Sequence, residues 1–268
     1  MPFPLATSDA LGRPVALPAP PRRIVSLVPS QTELLADLQL DHEVVGITKF
    51  CVLPEEWHAQ KPYVGGTKDV HVERVRALRP DLVLANREEN VREQVEALAT
   101  FAPVYVTDVR TVEGACAMIR AVGRLVDRAD TGTADWAAVI AEGIASYFAG
   151  LPAFAPLRAA YLIWREPWMS VGGDTFIHDV MARAGLANVF GARTRYPVVT
   201  PDDLRAARPD VVLLSSEPYP FKPKHAVEVR AVLPEARVER VDGQAFSWYG
   251  SRLRHTPPYL AALRAELG

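Results

Sequence analysis

The sequence predicts an α/β protein of two similar lobes, each built on a mainly parallel sheet, joined by a long helical connection, with a ligand cleft where the lobes face each other. Three observations carry this. Short β-branched segments alternate with helical ones in both halves of the chain, which is the pattern of a parallel sheet. The strand signal vanishes from Val112 to Phe148, which separates the halves. The halves also repeat: residues 73–84 read ERVRALRPDLVL and residues 202–213 read DDLRAARPDVVL, at a constant offset of 129. One repeat of that length implies two related lobes rather than a solenoid. The expected divisions are an N-terminal α/β lobe over 1–110, a helical connection over 111–156 and a C-terminal α/β lobe over 157–268.

Each element has its own local reason. Residues 9–17, DALGRPVAL, read as a hairpin about Gly12. Pro18, Pro20 and Pro21 precede a strand over Ile24–Val28. The chain then runs into Pro29-Ser30-Gln31-Thr32-Glu33, where Ser30 and Glu33 have capping-box spacing and Leu34, Leu35 and Leu38 form an apolar stripe. Strands follow at Val44–Ile47, Leu82–Ala85 and Val104–Val106, with helices at Val72–Leu78 and Val91–Phe101. Ala115, Ile119, Val122 and Val126 are spaced for a helix. A break from Asp130 to Gly132 precedes a second helical run from Asp135. Residues 150–157 read as a loop, and alternation resumes with a strand over Ala160–Trp164. Thr200-Pro201-Asp202-Asp203 and Gly172-Gly173-Asp174-Thr175 both open helices, the second with Asp174 as the expected N-cap.

Composition narrows the function. With 268 residues, 49% hydrophobic and 23% charged, the chain supports a sizeable core. A formal charge of −2 and the lack of a basic run give no footprint for nucleic acid. The longest apolar stretches, such as Leu82–Ala85 and Val211–Leu214, are too short to span a bilayer, so no direct membrane insertion is expected. The two cysteines, Cys51 and Cys116, lack metal-type spacing and read as free thiols. Met1 to Asp9 has neither a basic start nor an apolar stretch. Either a leader has been trimmed or the protein is cytoplasmic.

In open α/β sheets, ligands sit at the carboxyl ends of the strands. The loops expected there carry the candidate ligand-binding residues: Pro29, Ser30 and Gln31; Phe50; Trp164 and Trp168; Glu217 and Tyr219; Phe246, Trp248 and Tyr249. The aromatic rings suit a large, flat or bulky ligand, since each buries wide area at low rotamer cost. Each is also open to a core reading, Trp164 most of all because it ends a strand. Lys222, Lys224 and His225 form a basic patch, read either as a grip on a ligand anion or as a solvated loop.

The strings PRRIVSLVPSQTELLADL, VVGIT, VERVRALRPDLVLA and QVEAL, followed by SVGGDTFIHDVMARAGLANVF and VTPDDLRAARPDVVLLSSEP, occur in an order and spacing that resembles the helical-backbone (class III) substrate-binding proteins of ABC importers. The vitamin B12, haem and iron-siderophore receptors look nearest, and the resemblance covers about residues 9–262. It implies two α/β lobes joined by a long rigid helix, no catalysis and no intrinsic cofactor. It further implies a bulky metal-chelate ligand (a corrinoid such as cobalamin first, haem or a ferric siderophore next) and a periplasmic or cell-envelope location. Thr67 and Asn86 stand where tryptophans line the N-terminal lobe of vitamin B12 receptors, which adds them to the ligand-binding set. Glu73 and Asp202 match the acids that meet arginines of the membrane permease, and the 129-residue offset relates them independently. Both also fit the first turn of a helix, where an acid favours the helix dipole.

Other chemistry finds little purchase. The six histidines show no HExxH or i, i+4 pairing, so no protein-held metal is expected; His71, His225, Tyr219 and Tyr249 remain open as ligands to a chelated metal. Phosphate-loop, dinucleotide and hydrolase-elbow motifs are absent from the sequence. The alternative function is a cytoplasmic enzyme handling a tetrapyrrole or its metal, or a regulatory binding protein, on the same fold.

Overall fold

A computed structural model describes residues 3–127 and 132–268. In chain order its elements begin with β1 (Leu5–Ser8), β2 (Pro14–Leu17), β3 (Ile24–Ser26), α1 (Pro29–Asp37), β4 (Val44–Ile47), α2 (Glu55–Gln60), α3 (Val72–Ala77), β5 (Leu82–Asn86), α4 (Arg92–Ala99) and β6 (Val104–Thr107). Then come α5 (Val112–Leu125), α6 (Thr133–Ala149), β7 (Leu157–Trp164), β8 (Met169–Ser170), α7 (Phe176–Arg183) and β9 (Leu186–Asn188). The chain ends with α8 (Pro201–Ala207), β10 (Val211–Ser215), α9 (Pro223–Val232), β11 (Arg237–Val241), α10 (Gly243–Ser247), a 3-10 turn over Ser251–His255 and α11 (Thr256–Leu267).

The chain divides into two compact units. The first comprises Met1–Val109, Glu113–Ala145 and Tyr249–Arg252; the second comprises Arg110–Val112, Ser146–Trp248 and Leu253–Gly268. The first holds a sheet in the order β4-β3-β5-β6, all parallel. Its core packs Val25, Leu27, Val83, Ala85, Val104 and Val106 of the strands against Val75, Val95 and Leu98 of the helices. The second holds β11-β10-β7, with β9 also on β7, all parallel, and the short β8 running antiparallel beside β7. Strands β5 and β10 are buried along their whole length, as central strands of a covered parallel sheet must be.

The N-terminal hairpin protects a sheet edge. Its strands are β1 and β2, so the first limb starts earlier than the sequence signal. Asp9 builds the turn: its carboxylate accepts from the amides of Leu11 and Arg13, and Gly12 takes φ 75°. On the outer edge of β6, the amide of Val106 donates to Asp9 Oδ2 while Ala10 donates to the Val106 carbonyl.

The internal repeat is a joint between helix and strand. In the first unit α3 is followed, after Leu78, by Arg79, whose backbone turns left-handed (φ 46°), and Asp81 follows Pro80. The Asp81 carboxylate accepts from the amides of Arg22 and Arg23, each at 2.8 Å, just ahead of β3. The Arg23 guanidinium reaches back to the Leu78 carbonyl at 2.7 and 2.9 Å, satisfying the end of α3. In the second unit α8 ends at Arg208 (φ 45°), and Asp210 accepts from the amide of Arg158 at 2.9 Å. Arg158 Nε donates to the Arg208 carbonyl at 3.1 Å. The recurrent Arg-Pro-Asp is therefore a clasp tying one helix end to the start of the neighbouring strand.

Two local readings need correction. Ser30 and Glu33 form no capping box: Pro29 takes the first helical position, the N-cap is Val28, and no side chain caps it. The fixed φ of proline starts α1 two residues earlier. Ser30 is thereby inside the helix with its hydroxyl buried and unpartnered, and Glu33 pairs with Arg252. For α7 the cap is Thr175, which accepts from the His178 amide, while Asp174 accepts from the Arg195 amide. At the expected helix start of α8, Thr200 and Asp203 form a capping box. Of the expected break before α6, Gly132 is described, and Asp130 and Thr131 lie outside the described residues.

Candidate ligand-binding edges

Each sheet directs its strand ends, and hence a set of loops, to one edge. In the first unit these loops follow β3, β4, β5 and β6. Phe50, after β4, is the most open aromatic here at 51% exposed, with Lys49 Nζ 5.2 Å from its ring centre. Gly66 allows the close approach, since a Cβ there would stand 3.0 Å from the Phe50 ring. Thr67 and Pro29 are half-buried.

Asn86 shapes the loop after β5. It is 2% exposed, and its side chain is consumed in shaping the loop. Its Oδ1 accepts from the amides of Glu88 and Glu89, and its Nδ2 donates to Thr107 Oγ1 at 3.1 Å. Its own amide donates to Asn90 Oδ1 at 2.8 Å, and Asn90 Nδ2 donates to the Thr67 carbonyl at 3.0 Å. Such a network fixes the edge by satisfying buried polar groups. Gln31 is buried in it too, donating to Thr107 Oγ1, with its own Oε1 left without a partner.

Residues Tyr249–Arg252 return to this unit. The Tyr249 hydroxyl donates to Glu89 Oε1. Gly250 lies on the Ser30 carbonyl, so close that a Cβ would stand 2.1 Å from it. Arg252 then clamps Glu33 through two bonds of 2.8 Å. The Arg252–Glu33 pair and Gly250 were missed from sequence. The pair is 219 residues apart and leaves no local periodicity; the glycine between two aromatics and a serine was the only signal.

In the second unit the loops after β7 and β10 gather aromatics. Trp164 is 39% exposed, and its ring meets Tyr219 edge-on at 5.5 Å. Tyr219 meets Phe221 at 4.9 Å, and Phe221 stacks on Trp168 at 5.9 Å. Behind them lies buried His225, whose Nδ1 accepts from the Lys222 amide and whose Nε2 is 3.4 Å from the Tyr219 hydroxyl. Burial lowers the His225 pKa, with Lys224 and Arg165 acting in the same direction and Glu228 opposing. Arg165 sits 5.8 Å from the Trp168 ring and is held by Glu228 at 2.8 Å. The local patch expected at Lys222, Lys224 and His225 is thus partly internal: His225 serves the start of α9.

Glu217 fixes the last loop. Its Oε1 accepts from Ser247 Oγ and from Trp248 Nε1, each at 2.8 Å. Trp248, held by this bond, is buried at 6% exposed, and Tyr249 is buried at 7%. Phe246 is fully buried and packs on Tyr161 at 5.0 Å and Tyr259 at 6.3 Å. Its place in α10 explains this, since that short helix turns Phe246 inward. Burial also drives the Tyr161 hydroxyl pKa strongly upward; it donates to Ser215 Oγ.

The edges therefore offer open or half-open rings from Phe50 in one unit and from Trp164, Trp168 and Tyr219 in the other, on loops held by buried polar networks. Among the described residues no group of three or more His, Cys, Asp and Glu side chains is placed to hold a metal ion. Neither cysteine is in a disulfide; both are buried, and burial raises the Cys51 pKa.

A model of the periplasmic binding protein family matches residues 24–231. The chain belongs to that family. The family is one of substrate-binding proteins, not of enzymes, which sets aside the reading of a tetrapyrrole- or metal-handling enzyme. Among its relatives, the vitamin B12-binding protein of Pectobacterium atrosepticum is 26% identical over 201 residues, covering 72% of this chain and 71% of that one. The periplasmic vitamin B12 binding protein BtuF of Vibrio cholerae has the same fold: TM-score 0.78 at 19% identity, covering 92% of this chain and 98% of that one. The periplasmic heme-binding protein RhuT from Roseiflexus sp. RS-1, in apo form, gives TM-score 0.75 at 21% identity, covering 92% and 97%. No helix among the described residues is long and apolar enough to cross a membrane.

Proposed function

We propose that this chain is the substrate-binding component of an ABC importer, working in the periplasm or cell envelope, and that its cargo is a bulky metal chelate: a corrinoid first, haem or a ferric siderophore next. The observation that carries the reading is the set of accessible rings at the strand ends, Phe50 in one unit and Trp164, Trp168 and Tyr219 in the other. Family membership supports it, and so does the vitamin B12 binding of the relatives. Rings on stiff loops bury a large ligand at little entropic cost. The chelated metal belongs to the cargo.

Delivery to a permease is assigned to Glu73 on α3 and Asp202 on α8. Both side chains are exposed, at 81% and 91%, and each stands in the first turn of its helix.

The test is a calorimetric titration of the purified chain with cobalamin, cobinamide, haemin and ferric hydroxamates, repeated on the Trp164→Ala/Trp168→Ala variant. Saturable one-to-one binding of one chelate, weakened at least ten-fold by the double substitution, is the expected result. Binding that ignores both tryptophans overturns the site, and no binding to any of them overturns the cargo.

A further inference from the structure

The two docking acids do not stand alone. Each has an arginine three residues on, in the same register of the repeat: Arg76 and Arg205 are offset by the same 129 as Glu73 and Asp202. In the structure both arginines bridge their acids. Arg76 Nε lies 3.3 Å from the Glu73 carboxylate, and Arg205 Nη1 lies 2.6 Å from Asp202 Oδ1. Both guanidinium groups are half exposed, at 49% and 54%. The clasp described above holds α3 and α8 against their sheets in the same manner, so each unit presents the same ordered pair, acid first and base one turn later.

An isolated exposed pair of this kind contributes about 0–1 kcal/mol to stability. Helix stability alone is therefore a weak reason for the same pair in both units. The arginines also matter to any incoming cation. A partner guanidinium that reaches Glu73 comes within a few ångströms of Arg76, and Arg76 does not readily swing clear because it lies 4.1 Å over the Phe101 ring. A purely basic socket would meet repulsion there, whereas a socket with an acid beside its base would gain a second contact.

We infer that the docking surface is dipolar, reading Glu73 with Arg76 on one unit and Asp202 with Arg205 on the other, and that it fits a membrane partner whose two sockets each pair a base with an acid. This rests on the docking reading above. The partner would be discriminated by the order of charges as well as by their sum.

The experiment measures binding of the full chain to its cognate permease–ATPase complex in lipid nanodiscs, by biolayer interferometry at low and physiological salt. Glu73→Lys/Asp202→Lys tests the docking reading, and Arg76→Glu/Arg205→Glu tests the dipolar one. A third variant, Glu73→Arg/Arg76→Glu/Asp202→Arg/Arg205→Glu, keeps net charge and reverses the order in both units. Circular dichroism and chelate titration confirm that each is folded. At least ten-fold weaker binding is expected from all three. If the lysine variant binds as tightly as wild type, or wild type does not bind, the docking reading fails and this inference with it. If only the lysine variant is weakened, and the arginine reversal is neutral or binds more tightly, docking stands and the dipolar surface is wrong.

Discussion

Gly250 has no side chain because there is no room for one. A Cβ would meet the Ser30 carbonyl carbon at 3.0 Å as well as its oxygen, and both are backbone atoms that have no rotamer to change. Gly250→Ala should cost about 1–3 kcal/mol, the range for overpacking a tight site. Urea unfolding would read it, and a midpoint unchanged from wild type would refute the contact. Asp203 makes a pH prediction. Hydrogen bonds from the Thr200 amide first, then from Arg193 and the Thr200 hydroxyl, lower its pKa to about 2. Its folded value lies below its unfolded one, so its stabilising effect is full above the ordinary carboxylate range and fades as pH falls towards 2. Asp203→Asn should therefore be less stable than wild type at pH 6, with the gap closing below pH 3; a gap independent of pH counts against the assignment. At this scale the sequence was readable where chemistry is local, as in the Thr200–Asp203 cap. It was not readable where the partner is distant. Asn86 and Phe246 sat in polar loop text, and only the fold shows one consumed by Thr107 and the other buried on Tyr161.

At the scale of elements, the alternation of strands and helices was legible because buried parallel strands demand runs such as Leu82–Asn86 and Val211–Ser215. The shortest elements were not. Strands β8 and β9 have two and three residues and draw their stability from β7, and α2 and α10 are only six and five residues long. Such pieces have too few residues for a period to register. The clasp gives this scale its prediction. Arg23→Ala and Arg158→Ala each strip donors from a helix end, and each should lower stability by about 1 kcal/mol, the usual net worth of such bonds. Comparable shifts in urea midpoint are expected at both positions. A cost at one and none at the other would mean that the two joints are not equivalent.

At the scale of the molecule, the internal repeat announced two related units, but their membership was invisible. The first unit takes Glu113–Ala145 from the middle of the chain and Tyr249–Arg252 from near its end. The second takes Arg110–Val112 and then everything else beyond Ala145. A fragment covering residues 1–109 therefore lacks Arg252 for Glu33, Tyr249 for Glu89 and the close approach of Gly250 to the Ser30 carbonyl. Expressed alone, it should fail to give a cooperative unfolding transition, where the whole chain gives one; a sharp two-state melt from the fragment would show that these late residues are dispensable.

The same interleaving bears on how such a protein can change over generations. A single crossover between two homologous genes cannot exchange one unit without the other, because no single cut puts all of one unit on one side and all of the other on the opposite side. Variation must instead accumulate in place, loop by loop along the strand-end edges. If the proposed site holds, receptors on this plan would then diversify their cargo by point substitution at positions such as Phe50 and Trp164, while the residues that stitch one unit to a distant part of the chain stay under joint selection.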